Sequence, residues 1–256
     1  MNEKILSLKN VCMYFGGIKA IDDVSFDVEK GRLFGIIGPN GAGKTTIFNV
    51  ITGVYIPTSG EVIFHDKLLN KLMPHKIIHS GIARTFQNIR LFDDQTVLDN
   101  LKIAQFSHIG YGLSDAFLTS RKFRQEEERI EEESMEILHF LNLENLATNK
   151  AGALPYGEQR RVEIARALSC HPEVLLLDEP AAGMNPAEIQ DLNQLILKIH
   201  DYYDLTILVV EHQMRLVMEI CEEILVLNFG KKLAIGKPDE LKTNQAVLEA
   251  YLGKSS

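Results

Sequence analysis

Gly38-Pro39-Asn40-Gly41-Ala42-Gly43-Lys44-Thr45 fills the pattern Gly-x-x-x-x-Gly-Lys-[Ser/Thr], and each fixed position has a chemical purpose. Glycines at 38, 41 and 43 let the backbone fold into a nest of N–H groups facing a phosphate, where a side chain would collide. Lys44 adds a positive charge for the β- and γ-phosphates, and the Thr45 hydroxyl joins a Mg²⁺ shell. The helix that follows, with Thr46 in its first turn, points its positive end at the same anion. Pro39, Asn40 and Ala42 complete the loop. Such a segment binds a nucleotide through its phosphates.

A magnesium carboxylate and a water-activating base belong at the end of a neighbouring buried strand, and Val174-Leu175-Leu176-Leu177-Asp178-Glu179 has that form. Asp178 would hold Mg²⁺, usually through water. On an extended chain Glu179 points the other way, which frees it to orient and deprotonate the attacking water. An acidic pair after a strand is commonly just a solvated strand end; the phosphate loop is what gives this one a role.

Residues 1–30 alternate apolar and polar around Phe15-Gly16-Gly17, the pattern of antiparallel strands joined by a turn. Residues 33–37 form a short apolar run that enters the glycine-rich loop, as a buried strand would. From about residue 88 the texture becomes polar helix, most charged over residues 124–133, and such a run reads as a solvated helix face. Alternating strand and helix then return, with Asn185-Pro186-Ala187-Glu188 marking a helix start by its cap residue, proline and first-turn acid. Buried parallel strands with crossover helices fit best.

The 256 residues suit one large domain or two lobes. With 45% hydrophobic and 24% charged residues, disordered, collagen-like and disulfide-scaffold classes are disfavoured. Lys+Arg 27 against Asp+Glu 35, net −8, argues against a protein that coats nucleic acid. No apolar run exceeds the five residues 11–15, far short of the roughly 18–20 that cross a bilayer. Residues 1–9 lack the apolar stretch of a secretory signal, so a cytosolic home is expected. The three cysteines, Cys12, Cys170 and Cys221, follow no metal-ligand spacing and read as reduced, buried or half-buried thiols.

Further motifs follow in order, and together they resemble the ATP-binding cassette ATPases that drive membrane transporters. Phe15 matches the aromatic that stacks on adenine, and Gln87 in Arg84-Thr85-Phe86-Gln87 matches the Q-loop glutamine. Leu154-Pro155-Tyr156-Gly157-Glu158-Gln159 is similar to the signature LSGGQ, Ala182-Gly183-Met184-Asn185 to the D-loop, and His212 to the switch histidine. The forms around residues 81–92, 154–168 and 178–186 look narrower still, like the LivG-type ATPase subunits of branched-chain amino acid importers; cassettes for urea or short amides, and for lipopolysaccharide export, share much of this text.

The resemblance implies an α/β fold: a P-loop NTPase (RecA-like) parallel-sheet core with an N-terminal antiparallel β subdomain and an inserted α-helical subdomain. The core would span 1–87 and 165–256 and the insertion 88–164, with residues 238–253 as a short cap. It implies Glu179 as general base, His212 bracing the γ-phosphate and water, Lys44 on the phosphates, and Gln87 with Thr45 and Asp178 around Mg²⁺. ATP would lie between two subunits of a homodimer, or of a heterodimer with a paralogue. Pro155, Tyr156, Gly157 and Glu158 of one would cover the phosphates held by the other, with Asn185 nearby. Transmembrane permease subunits would be the membrane partners, received near residues 88–92, with a periplasmic or extracellular solute-binding protein as an indirect one. The cassette would then sit on the inner face of the cell membrane. Pro155 has no hydroxyl, and Asn185 has lost the charge of the usual aspartate; both changes leave room for a weaker site or an unequal pair. A soluble cassette acting on ribosomes or DNA usually has two cassettes or a long coiled coil, which this chain lacks. A GTPase would need Asn-Lys-x-Asp, which does not occur.

Overall fold

The computed structural model describes residues 3–212 and 214–252. Residues 1, 2 and 253, at the edges of the amino-terminal stretch and the carboxyl-terminal cap read above, lie outside the described residues. The chain forms two compact units, Met1–Gln87 with Glu173–Ser256, and Asn88–Pro172.

The first unit holds the strands: β1 (Lys4–Phe15), β2 (Ile18–Glu29), β3 (Leu33–Ile37), β4 (Ser59–Phe64), β5 (Lys67–Leu68), β6 (Ile82–Arg84), β7 (Val174–Asp178), β8 (Thr206–Glu211), β9 (Glu223–Asn228) and β10 (Lys231–Gly236). The helices of the chain are α1 (Lys44–Ile51), α2 (Pro74–His79), α3 (Val97–Ala104), α4 (Leu113–Phe117), α5 (Arg121–Phe140), α6 (Tyr156–Leu168), α7 (Pro186–Tyr203), α8 (Met214–Ile220), α9 (Pro238–Lys242) and α10 (Gln245–Leu252). An antiparallel sheet has the order β2-β1-β4-β5, and a second, mostly parallel sheet the order β10-β9-β3-β8-β7-β6.

Every residue of β3, β7 and β8 is buried, as a parallel sheet covered on both faces requires. Register places Ile37 beside Glu211 and Asp178 beside Val210. The carboxyl ends of three adjacent strands therefore deliver the phosphate loop, the Asp178-Glu179 turn and His212 to one edge, where open α/β sheets bind ligands. Behind the loop, α1 buries Ile47, Phe48, Val50 and Ile51, each contributing about 1.5–3 kcal/mol over an exposed position. The helix begun by Asn185 is α7, with a capping box between Asn185 and Glu188.

In the second unit Thr96 and Asp99 form a capping box on α3, and Ser120 caps α5. The charged stretch is the outer side of α5, where Arg129 pairs with Glu126 at 2.8 Å and Glu133 at 2.5 Å, while Ile130, Ile137 and Leu138 are buried. The sequence expectation divides the chain after residue 164, but α6 runs unbroken through Leu168, and the unit continues to Pro172. Cys12 and Cys221 are buried and Cys170 half-buried, all free. Among the described residues no helix is long and apolar enough to cross a membrane.

Candidate functional site

The phosphate loop has no room for side chains at two of its glycines. A Cβ on Gly38 would meet the Leu227 carbonyl oxygen at 2.4 Å, and one on Gly43, at φ +103°, the Ala20 carbonyl oxygen at 2.5 Å. The Gly230 N–H donates to the Ala42 carbonyl at 3.1 Å, and the Asp22 N–H to the Gly230 carbonyl at 2.8 Å. The β9–β10 turn thus fastens the loop to β2. Lys44 is buried, and its Nζ donates to the carbonyls of Gly38 at 2.8 Å and Pro39 at 3.2 Å. Burial pulls its pKa below the usual lysine value, and the fields of Glu179, Glu211 and Asp178 oppose that shift. Residues 40–46, Ile18–Ala20, Glu179 and Phe229 line a cavity of about 360 Å³, so the loop and the base expected from sequence share one space.

Glu179 departs from the sequence expectation in its backbone. The strand ends at Asp178, and Glu179 has φ +45°, so a left-handed turn, not strand alternation, sends the two carboxylates apart. The conformation is held by the Glu179 N–H donating to the Val210 carbonyl at 2.9 Å. Such strain in a non-glycine residue costs on the order of 1–3 kcal/mol and persists only where its surroundings impose it. The Gln87 amide donates to Glu179 Oε2 at 2.9 Å, and His212 Nδ1 lies 3.7 Å from that oxygen. Glu179 is thereby placed between Gln87 and His212. Asp178 accepts a hydrogen bond from Arg84 on Oδ2 at 2.6 Å, while its buried Oδ1 has no hydrogen-bond partner. An unmatched buried carboxylate oxygen suits a hard cation that takes one protein carboxylate and fills its shell with hydroxyl, water and phosphate oxygens. Among the described residues no group of three His, Cys, Asp or Glu is placed to hold a metal ion by itself.

Two charged residues here have no role in the sequence reading. Arg84 holds Asp178. Glu211, fully buried, accepts from the Ala181 N–H on Oε1 at 2.9 Å and from the His212 N–H on Oε2 at 3.2 Å, joining the turn after Glu179 to His212. A charge closing a buried strand must be paired, and that is the signal by which both are found. Glu211→Gln has one acceptor oxygen where the carboxylate has two. It is expected to lower unfolding free energy by about 1.5–3 kcal/mol, the range for a hydrogen bond to a charged group, as read by urea unfolding.

Phe15 ends β1, is 41% exposed, and meets Tyr55 edge-on at 5.1 Å; it lies outside the lining of the 360 Å³ cavity. Asn185 is occupied locally, its side-chain oxygen accepting from the N–H groups of Ala187 at 2.9 Å and Glu188 at 3.1 Å. In the second unit Pro155, Tyr156 and Gly157 are exposed at the start of α6, with Glu158 half-buried in its first turn. A Cβ at Gly157 would meet nothing within 4 Å. Tyr156, where the resembled signature has glycine, accepts from Arg160 at 3.0 Å, and Arg160 pairs with Glu163 at 2.6 Å inside the unit.

Comparison with known proteins adds the family. A model described as "ABC transporter" matches residues 21–182, and one described as "Branched-chain amino acid ATP-binding cassette transporter" matches residues 231–255. Within that second segment Leu233 and Ala246 line a cavity of about 730 Å³ together with residues 39–42 of the phosphate loop. The chain is 42% identical over 255 residues, covering 100% of both chains, to the high-affinity branched-chain amino acid transport ATP-binding protein BraF of Pseudomonas aeruginosa. It is 41% identical, at the same coverage, to LivG of Escherichia coli. Among solved structures, an ATP-binding cassette of an ABC transporter in its ADP conformation is 35% identical with a TM-score of 0.85, covering 98% of this chain and 99% of that one. A dimeric cassette in a post-hydrolysis state bound to ADP and Pi is 28% identical with a TM-score of 0.77, covering 91% and 99%. Matched by the family model over residues 21–182 and 41–42% identical to relatives over their whole length, the chain belongs to the ABC transporter family as one of its ATP-binding cassettes.

Proposed function

We propose that this cassette hydrolyses ATP to drive import of branched-chain amino acids, working as one of two cassettes that clamp nucleotide between them. The cargo is supported above all by the match of residues 231–255 to the branched-chain model, together with full-length identity to BraF and LivG. The chemistry is supported by the corner in which Glu179 is held between Gln87 and His212 beside the phosphate loop.

In this reading the N–H groups of the loop and the Lys44 ammonium bind the phosphates. Lys44 exchanges the Gly38 and Pro39 carbonyls for phosphate oxygens. Glu179 accepts the proton of the attacking water, Gln87 and His212 fix its carboxylate, and His212 faces the γ-phosphate. Phe15 stacks on adenine. Thr45 Oγ1, Asp178 Oδ1 and the Gln87 side chain would hold Mg²⁺, which when bound neutralises charge developing on the phosphates. The exposed start of α6 offers the N–H groups of Tyr156 and Gly157 to the phosphates of a second cassette. The dimeric relative bound to ADP and Pi supports that arrangement. Binding energy from ATP favours the closed pair, and cleavage removes the bridging γ-phosphate.

Permease subunits would bring the cassette to the inner face of the cell membrane, and the exposed Phe92 ring, with Arg166 at 5.9 Å, supports an apolar contact for them. The test is reconstitution of this chain with its own permease and solute-binding protein in vesicles. Leucine, isoleucine or valine should accelerate phosphate release where urea and short amides do not. Acceleration by urea or amides alone would overturn the cargo assignment.

A further inference from the structure

Arg84 ends the edge strand β6, paired in register with Leu176 of β7, and its side chain is only 5% exposed. A guanidinium buried this deeply needs fixed partners for its donors; Nε has none, and Nη1 and Nη2 have theirs. Here they come from two elements. Nη2 donates to Asp178 Oδ2 at 2.6 Å, at the end of β7. Nη1 donates to Asn49 Oδ1 at 2.7 Å and Thr52 Oγ1 at 3.3 Å, on or just past the helix that follows the phosphate loop. The rings of Phe48 and Phe86 approach the guanidinium carbon at 5.5 and 5.0 Å, which fixes its plane.

The consequence falls on Asp178. The terminal torsion of an aspartate is broad and two-fold, so an untethered carboxylate presents either oxygen. With Oδ2 taken by Arg84, only the buried Oδ1, which has no hydrogen-bond partner, remains to be presented. We propose that Arg84 is a positioning residue for the cation site, locking one oxygen of Asp178 so that the other is aimed at the divalent ion, and tying that aim to the helix behind the phosphate loop. This rests on the reading of Asp178 as the metal carboxylate. Arg84 makes the aim a property of the free protein, so the ion pays no cost of ordering the carboxylate when it binds. Lysine cannot replace it, because a point charge cannot hold Asn49, Thr52 and Asp178 in one plane.

The experiment measures Mn²⁺ binding to the full chain in the presence of ADP, from the free Mn²⁺ signal in electron paramagnetic resonance. ADP binding in EDTA is measured beside it. Arg84→Lys is expected to raise the Mn²⁺ Kd about ten-fold, the worth of roughly 1.4 kcal/mol, while ADP alone binds within about two-fold of the parent. Asp178→Asn should also weaken Mn²⁺, and adding Arg84→Lys to it should cost nothing more, because the two act as one unit. Unchanged Mn²⁺ affinity in Arg84→Lys, an equal loss of ADP affinity without metal, or additive losses in the double variant would each overturn the proposal. Arg84→Gln, which keeps a donor toward Asn49, carries the same test if the lysine variant does not fold. Failure of both to fold while Asp178→Asn folds would assign Arg84 to structure alone. An Mn²⁺ affinity indifferent to Asp178→Asn would instead overturn the metal reading of Asp178, a result distinct from failure at Arg84.

Discussion

Glu179→Gln is expected to bind ATP as the parent does and to release phosphate about 10²- to 10⁴-fold more slowly, the usual contribution of a positioned general base. The substitution keeps the shape of a side chain that is 9% exposed and keeps an oxygen for the Gln87 amide at 2.9 Å. It removes the basicity that accepts the water proton. The left-handed backbone at φ +45° is untouched, so the loss is chemical and not a change of fold. With cleavage blocked and ATP still bound, the closed pair should persist, and a stable ATP-dependent dimer should appear by light scattering. A variant that hydrolyses ATP at the parental rate would remove Glu179 from the mechanism.

Glu163→Ala is expected to destabilise the unit Asn88–Pro172 by about 3–5 kcal/mol, the cost of removing one partner of a buried ion pair. Arg160 and Glu163 are 0% and 1% exposed and 2.6 Å apart, one turn along α6. Removing the carboxylate takes away the negative charge 2.6 Å from a guanidinium held in the interior. The loss should also reach the signature segment, since Arg160 donates to the Tyr156 hydroxyl at 3.0 Å and its guanidinium carbon lies 5.7 Å from that ring. Replacing both partners by apolar residues of similar volume should restore most of the stability. Urea unfolding of the full chain, followed by signals from each unit, measures both variants. Unchanged unfolding in Glu163→Ala would contradict the account of how α6 is held.

The residues proposed to act on phosphate were legible because their chemistry dictates type and spacing together. A loop that brings backbone N–H groups to an anion needs glycine where Gly38 and Gly43 stand, and the contacts a Cβ would make there show why. The buried runs of β3, β7 and β8 were legible for the same reason: a sheet covered on both faces requires continuous apolar strands. What escaped depends on which strands become neighbours. The charge on Arg84 closes a three-residue edge strand, and its partner Asp178 is set by β6 lying beside β7. Glu211 meets Ala181 only because β8 lies beside β7. Short elements such as β5 and α2 carry too few residues to display a period. The turn at Glu179 was hidden because the carbonyl that accepts its N–H belongs to Val210 on the adjacent strand. Tyr156 stands where the resembled signature has glycine, and its contact with Arg160 becomes visible only with the helix in place.

In the proposed dimer, nucleotide is held jointly by the phosphate loop of one cassette and the α6 start of another. Cross-linking tests it most directly, with Asn40→Cys in one Glu179→Gln protein and Gly157→Cys in a second. Both positions are exposed, Gly157 has open space for a side chain, and the native thiols are buried or half-buried. Mixed with ATP and Mg²⁺, the two should form a disulfide-linked heterodimer that is absent with ADP or without nucleotide. Failure to cross-link with ATP, while both proteins bind it, would contradict the shared site.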